Sequence, residues 1–156
     1  MNLAKLIAEM QQKGYKPDMA AARICQDIVL KSISQGRLSE NVTVKGGVVM
    51  RSITNNIRRS TLDLDIDVIR YSLSEDSIDR FIAEMKCPAG ISIKKVGETQ
   101  ELSQQDYKGK RVYVQITDDN GNTVDSKIDF GVHKHLDVEQ EDYCGSYTFS
   151  IQQYHE

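Results

Sequence analysis

The sequence predicts an α+β fold: one mixed β-sheet with helices packed on one face. Three observations point there. Amphipathic helical periodicity opens the chain, strictly alternating strands follow, and an Asn-Gly turn joins two of those strands. The 156 residues suit a single domain with one core. That domain is expected to span 1–156, with two N-terminal helices over 2–36 and a sheet-containing core over 41–135.

Leu3, Leu6, Ile7 and Met10 recur at helical spacing, and Gly14 can end that helix. Pro17-Asp18 opens a second helix, with Asp18 expected at its N-cap. Ala21, Ile24, Cys25, Ile28 and Val29 form its apolar stripe, and Gly36 stands at the expected C-terminal cap. A β-branched strand from Asn41 to Lys45 leads into Gly46-Gly47. Val49, Met50, Ile53 and Ile57 then return to helical spacing.

Leu62-Asp63-Leu64-Asp65-Ile66-Asp67-Val68 alternates without exception, apolar on one face and acidic on the other. Ser74-Glu75-Asp76 caps a helix carrying Ile78, Phe81, Ile82 and Met85, closed by Pro88 and Gly90. Ile91 to Val96 and Arg111 to Thr117 read as strands. Asp118 to Asn122 forms a turn, and Val124, Ile128 and Phe130 line the returning strand. Beyond His135 the pattern weakens, and Phe149 to Glu156 resembles the start of a helix. Strands that alternate imply a sheet with one buried face and one partly open face, and the open face carries the carboxylates.

The net charge of −3 is opposite to that of a protein that coats nucleic acid through a basic face. Cys25, Cys87 and Cys144 are far apart, which argues against a zinc site or a disulfide framework and suits free thiols in a reducing cytosol. No segment is long and apolar enough for a signal peptide or a membrane span, so a cytoplasmic location without membrane contact is expected.

Asp63, Asp65 and Asp67 stand on one strand face, about 6–7 Å between successive like-facing positions. Like charges in a row repel, and hard oxygen donors at this spacing suit Mg²⁺. Asp129 has the same alternating neighbours. If its strand lies beside the first, Asp63, Asp65 and Asp129 form a cluster able to hold metal. An acidic strand face also occurs as plain solvated surface, and Asp67 fits that description. A calcium loop is disfavoured by the interleaved Leu64 and Ile66. Gly46-Gly47 ends a strand and begins a helix, so backbone N–H groups there can meet phosphate. The Walker pattern is absent. The order of turn, helix and acidic strand gives the two glycines their significance.

Val44-Lys45-Gly46-Gly47 followed by Arg59-Ser60-Thr61-Leu62-Asp63-Leu64-Asp65 resembles the signature of the AbiEii/AbiGii toxin family, nucleotidyltransferase-like proteins of the DNA polymerase β superfamily. The resemblance runs from about Val44 to Asp129. It implies the nucleotidyltransferase fold and a reaction that moves a nucleotide from a nucleoside triphosphate to an RNA, transfer RNA included, or to a protein hydroxyl. It implies Mg²⁺ or Mn²⁺ at Asp63, Asp65 and Asp129, and triphosphate binding by Lys45, Gly46, Gly47, Arg59 and Thr61. Arg59 either braces the turn or meets phosphate. A toxin role beside a cognate antitoxin is implied as well. Family members continue into a helical C-terminal half, so a truncated or minimal form is expected here.

The alternative is a non-catalytic nucleotide-binding or antitoxin-interacting module that kept the fold; a metal-dependent phosphodiesterase is a third, weaker reading. His133 and His135 read as surface or loop residues, and Tyr107, Tyr113, Tyr143 and Tyr147 as half-buried filling. Lys94-Lys95 and Lys108, Lys110 with Arg111 read as solvated basic patches, with an RNA phosphate contact as the functional alternative.

Overall fold

The computed structural model describes residues 1–45, 62–104, 107–132, 140–142 and 150–152. The element order is α1 (Leu3–Gln12), α2 (Pro17–Ser34), a 3₁₀ turn (Ser39–Asn41), β1 (Val42–Lys45), β2 (Leu64–Val68), α3 (Glu75–Ala83), β3 (Ser92–Lys95), β4 (Gln100–Gln104), β5 (Tyr107–Thr117), β6 (Thr123–Val132), β7 (Gln140–Asp142) and β8 (Ser150–Gln152). The expected helix through Val49 to Ile57 lies outside the described residues, as do His133 and His135.

Each helix starts for a local reason. Asn2 caps α1 by accepting from Lys5 N, and Gly14 follows its end at φ +107°. Lys16, not Asp18, is the N-cap of α2. Pro17 takes the first helical position, where its missing N–H is harmless, and Asp18 sits in the first turn. Ser74 caps α3 by accepting from Ser77 N, with Glu75 and Asp76 in the first turn, where the helix dipole favours negative charge.

Among the described residues, eight strands form one mixed sheet in the order β3-β5-β6-β2-β1-β8-β7, with β4 also paired to β5. β5 and β6 are the long antiparallel hairpin. β2 lies parallel to β6 and antiparallel to β1. The segment expected to begin a helix after Phe149 contributes β8 instead, parallel to β1 through Val44 and Ile151. β4 (QELSQ) has no sequence counterpart among the expected strands; it holds a single apolar residue.

Alternation sorts the sheet into two faces. Val42, Val44, Leu64, Ile66, Val68, Val112, Val114, Ile116, Ile128 and Phe130 are buried in one core with Leu3 of α1, Ile24, Ile28 and Val29 of α2, and Ile78 and Phe81 of α3. Tyr71, Phe81 and Phe130 meet edge to face, at centroid distances of 6.0 and 5.2 Å. Each fully buried aliphatic side chain contributes roughly 1.5–3 kcal/mol. The opposite face is left to the aspartates.

Candidate active site

The polar face is organised in rows set by strand register. Asp65 is the partner of Asp129 across β2 and β6, Lys45 is the partner of Asp65 across β1, and Arg111 is the partner of Asp129 across β5. One row across four strands therefore reads Lys45, Asp65, Asp129, Arg111. Strand spacing puts the Asp65 and Asp129 positions about 4.8 Å apart. The expectation that the Asp129 strand lies beside the Asp65 strand is met.

A second row reads Thr43, Asp67, Gly131, Gly109. Asp67 was expected at the solvated surface, but it is only 7% exposed and Thr43 beside it is fully buried. Asp129 is 6% exposed, and Asp65 is half-buried.

Two carboxylates of the expected triad are held by bases one strand away. Asp129 receives two hydrogen bonds from Arg111, Nε to Oδ1 at 2.7 Å and Nη2 to Oδ2 at 3.0 Å. This fork matches guanidinium to carboxylate geometry, and the contact raises the Arg111 pKa above its ordinary value against the opposing effect of burial. Asp63 lies just ahead of β2 and contacts Lys127 Nζ at 3.0 Å, with side chains 48% and 33% exposed. Among the described residues no three His, Cys, Asp or Glu side chains converge as a metal-binding group. Register brings Asp65 and Asp129 together, while Asp63 is turned to Lys127.

The backbone of Lys45 is placed in the row. Gly46, Gly47, Arg59 and Thr61 lie outside the described residues. A concavity of about 380 Å³ opens beside the Asp63–Lys127 pair, lined by Leu62, Tyr113, Asp125 and Lys127 with Asp18, Ala21 and Ala22 of α2. That volume is within the usual range for small-molecule sites. Lys95, expected in a solvated patch, pairs with Glu75 at 3.2 Å and Asp79 at 2.5 Å, tying β3 to α3.

Arg111, expected in a solvated basic patch, is instead forked onto Asp129. Counting back equally from the five-residue Asp118–Asn122 turn, centred on Asn120, sets Arg111 against Asp129, so the signal was present in the register.

A model of the family described as nucleotidyl transferase AbiEii toxin, type IV toxin–antitoxin system, matches residues 28–154. The chain belongs to the AbiEii family. The match covers the acidic strand, the hairpin and β8, and it agrees with the resemblance carried by Lys45-Gly46-Gly47 and the Asp63-Leu64-Asp65 pair. No curated protein matches the sequence. The mixed sheet with helices on one face is consistent with a nucleotidyltransferase family. Among the described residues, no helix of this AbiEii protein is long and apolar enough to cross a membrane.

Proposed function

We propose that this AbiEii protein is a divalent-cation-dependent nucleotidyltransferase that moves a nucleotide from a nucleoside triphosphate to a hydroxyl of RNA, transfer RNA included, or of protein. It would act as the cytoplasmic toxin opposite a cognate antitoxin. The observation that carries the reading is the in-register pair Asp65 and Asp129 on adjacent parallel strands, in a chain of a nucleotidyl transferase family. Oxygen donors from neighbouring strands fit Mg²⁺ or Mn²⁺ in chemistry, and Asp63 is close enough in sequence to join them.

Asp63, Asp65 and Asp129 hold the cation, and Lys45, Gly46, Gly47, Arg59 and Thr61 meet the triphosphate. The acceptor hydroxyl oxygen would attack the α-phosphorus, its proton passing to a carboxylate or water, as the bond to pyrophosphate breaks. Divalent cations, when bound, would supply charge neutralisation. The nucleotidyltransferase (polymerase β-like) fold is part of this proposal.

The test is a thermal melt with Mg²⁺ or Mn²⁺, with and without triphosphate. Cation and triphosphate together should raise Tm beyond either alone, by mass action on the folded state. Asp63→Asn combined with Asp65→Asn should abolish that response; an unchanged response sinks the site. Transfer of label from an α-³²P triphosphate to RNA or protein tests the reaction itself.

One observation favours a second reading, a nucleotide-binding or antitoxin-interacting module without turnover: Asp63 and Asp129 are already held by Lys127 and Arg111. In that case triphosphate would bind and label would never move.

A further inference from the structure

A carboxylate as enclosed as Asp129 needs positive charge beside it. It is 6% exposed, so water does little to stabilise its ionised form, and Asp65 brings a like charge to the neighbouring strand position. Arg111 supplies that positive charge with a two-point fork occupying both oxygens, at 2.7 and 3.0 Å. The fork is no chance side-chain excursion, since Arg111 and Asp129 are register partners in the β5–β6 hairpin.

We infer that Arg111 is the built-in counter-ion of the cation site: it holds Asp129 when no divalent cation is bound, and a cation binds by competing with it for that carboxylate. Arg111 is thus a positioning residue that acts through Asp129. The inference rests on the reading of Asp63, Asp65 and Asp129 as the cation ligands.

Two physical effects oppose the cation. The guanidinium and the metal draw on the same limited set of carboxylate lone pairs, and they repel each other across a few ångströms of partly buried space. Lys127 does the same for Asp63, but that pair is a third to a half exposed, where solvent screening leaves such contacts weak. Arg111 is therefore the stronger brake. The consequence is a site that stays nearly empty of cation by itself. A polyanion that offsets the added positive charge, such as a triphosphate arriving with its cation, relieves the repulsion and lets the site fill. The guanidinium, once displaced, remains on the same face as a free cationic group for that polyanion.

The experiment titrates purified protein with Mn²⁺, following free Mn²⁺ by its electron paramagnetic resonance signal, without nucleotide. Arg111→Met should bind Mn²⁺ at least about tenfold more tightly than the native protein. Melts in EDTA should show the variant less stable, with Mn²⁺ restoring more of its Tm than it adds to the native protein. A merely structural role would lower Tm equally with and without Mn²⁺ and leave the affinity unchanged, which overturns the inference. If the Met variant does not fold, Arg111→Gln, which can still donate one hydrogen bond to Asp129, should tighten Mn²⁺ binding in the same direction. Asp65→Asn separates the two levels of the argument. If it abolishes Mn²⁺ binding while loss of Arg111 leaves affinity untouched, only the counter-ion role fails. If Mn²⁺ binding survives Asp65→Asn, or no protein of the set binds Mn²⁺, the cation site fails and this inference with it.

Discussion

Asp118, at the base of the β5–β6 turn, has both carboxylate oxygens occupied. Oδ2 accepts from Leu3 N at 2.8 Å and Asn122 Nδ2 at 2.9 Å; Oδ1 accepts from Asn120 N at 3.0 Å and Asn122 N at 2.9 Å. Burial works against ionisation, but these donors together outweigh it and bring the pKa from 3.8 down to about 2. A folded pKa below the unfolded one stabilises the fold above the unfolded value, and that stability is lost as pH falls through the folded value. Acid unfolding followed by circular dichroism should therefore show stability draining away between about pH 4 and pH 2. Asp118→Asn should lower Tm by a few degrees at neutral pH and flatten that acid slope; an unchanged slope would assign the acid sensitivity elsewhere. Cys25 is a simpler case. Its thiol is fully buried, and burial first of all pushes its pKa up to about 12. Native protein should label at Cys25 at least about a hundredfold more slowly than unfolded protein at pH 8, as measured by maleimide labelling and peptide mapping.

At the scale of elements, the α2–α3 crossing turns on one glycine. Gly36 follows α2, and a Cβ there would lie 2.5 Å from the carbonyl oxygen of Glu84 and 3.4 Å from Cα of Met85. Its φ is not in the left-handed region, so glycine is needed for close approach, not for a helix-capping conformation. Gly36→Ala should destabilise by about 1–3 kcal/mol in urea unfolding, because the contact is backbone and cannot rotate away. A neutral effect would mean the two helix ends slide apart freely.

The elements legible from sequence are those whose pattern and packing agree. β2, β6 and α3 alternate or repeat cleanly because one side of each meets the core. β4 is hidden because it lies at the sheet edge, where backbone pairing to β5 requires no apolar period. The C-terminal segment is a strand where its own pattern suggests a helix, because its pairing with β1 is set more than a hundred residues earlier. Site legibility divides the same way. Asp65 and Asp129 are visible because alternation identifies their face. The enclosure of Asp67 has no signal in its own alternation, and the Arg111 fork depends on hairpin register.

Among the described residues, the apolar core and the proposed cation site occupy opposite faces of one sheet, so adjacent residues of β2 are expected to serve different tasks. Ile66 is fully buried in the core beneath the helices, while Asp65 is half-buried on the other face in register with Asp129. Ile66→Ala removes apolar surface from the core and leaves a cavity, at a cost of about 2–5 kcal/mol. Asp65→Asn is nearly isosteric and keeps an acceptor oxygen, so the cation-free protein should keep its Tm within a few degrees. The two substitutions should separate in a paired experiment. Urea unfolding should show a clear loss for Ile66→Ala and little change for Asp65→Asn. The Tm gain on adding Mg²⁺ with triphosphate should persist in Ile66→Ala, measured from its lower baseline, and vanish in Asp65→Asn. If both substitutions damaged stability and cation response alike, the two faces would be energetically coupled. The aspartate row would then be part of what holds the sheet together, not a separate site mounted on it.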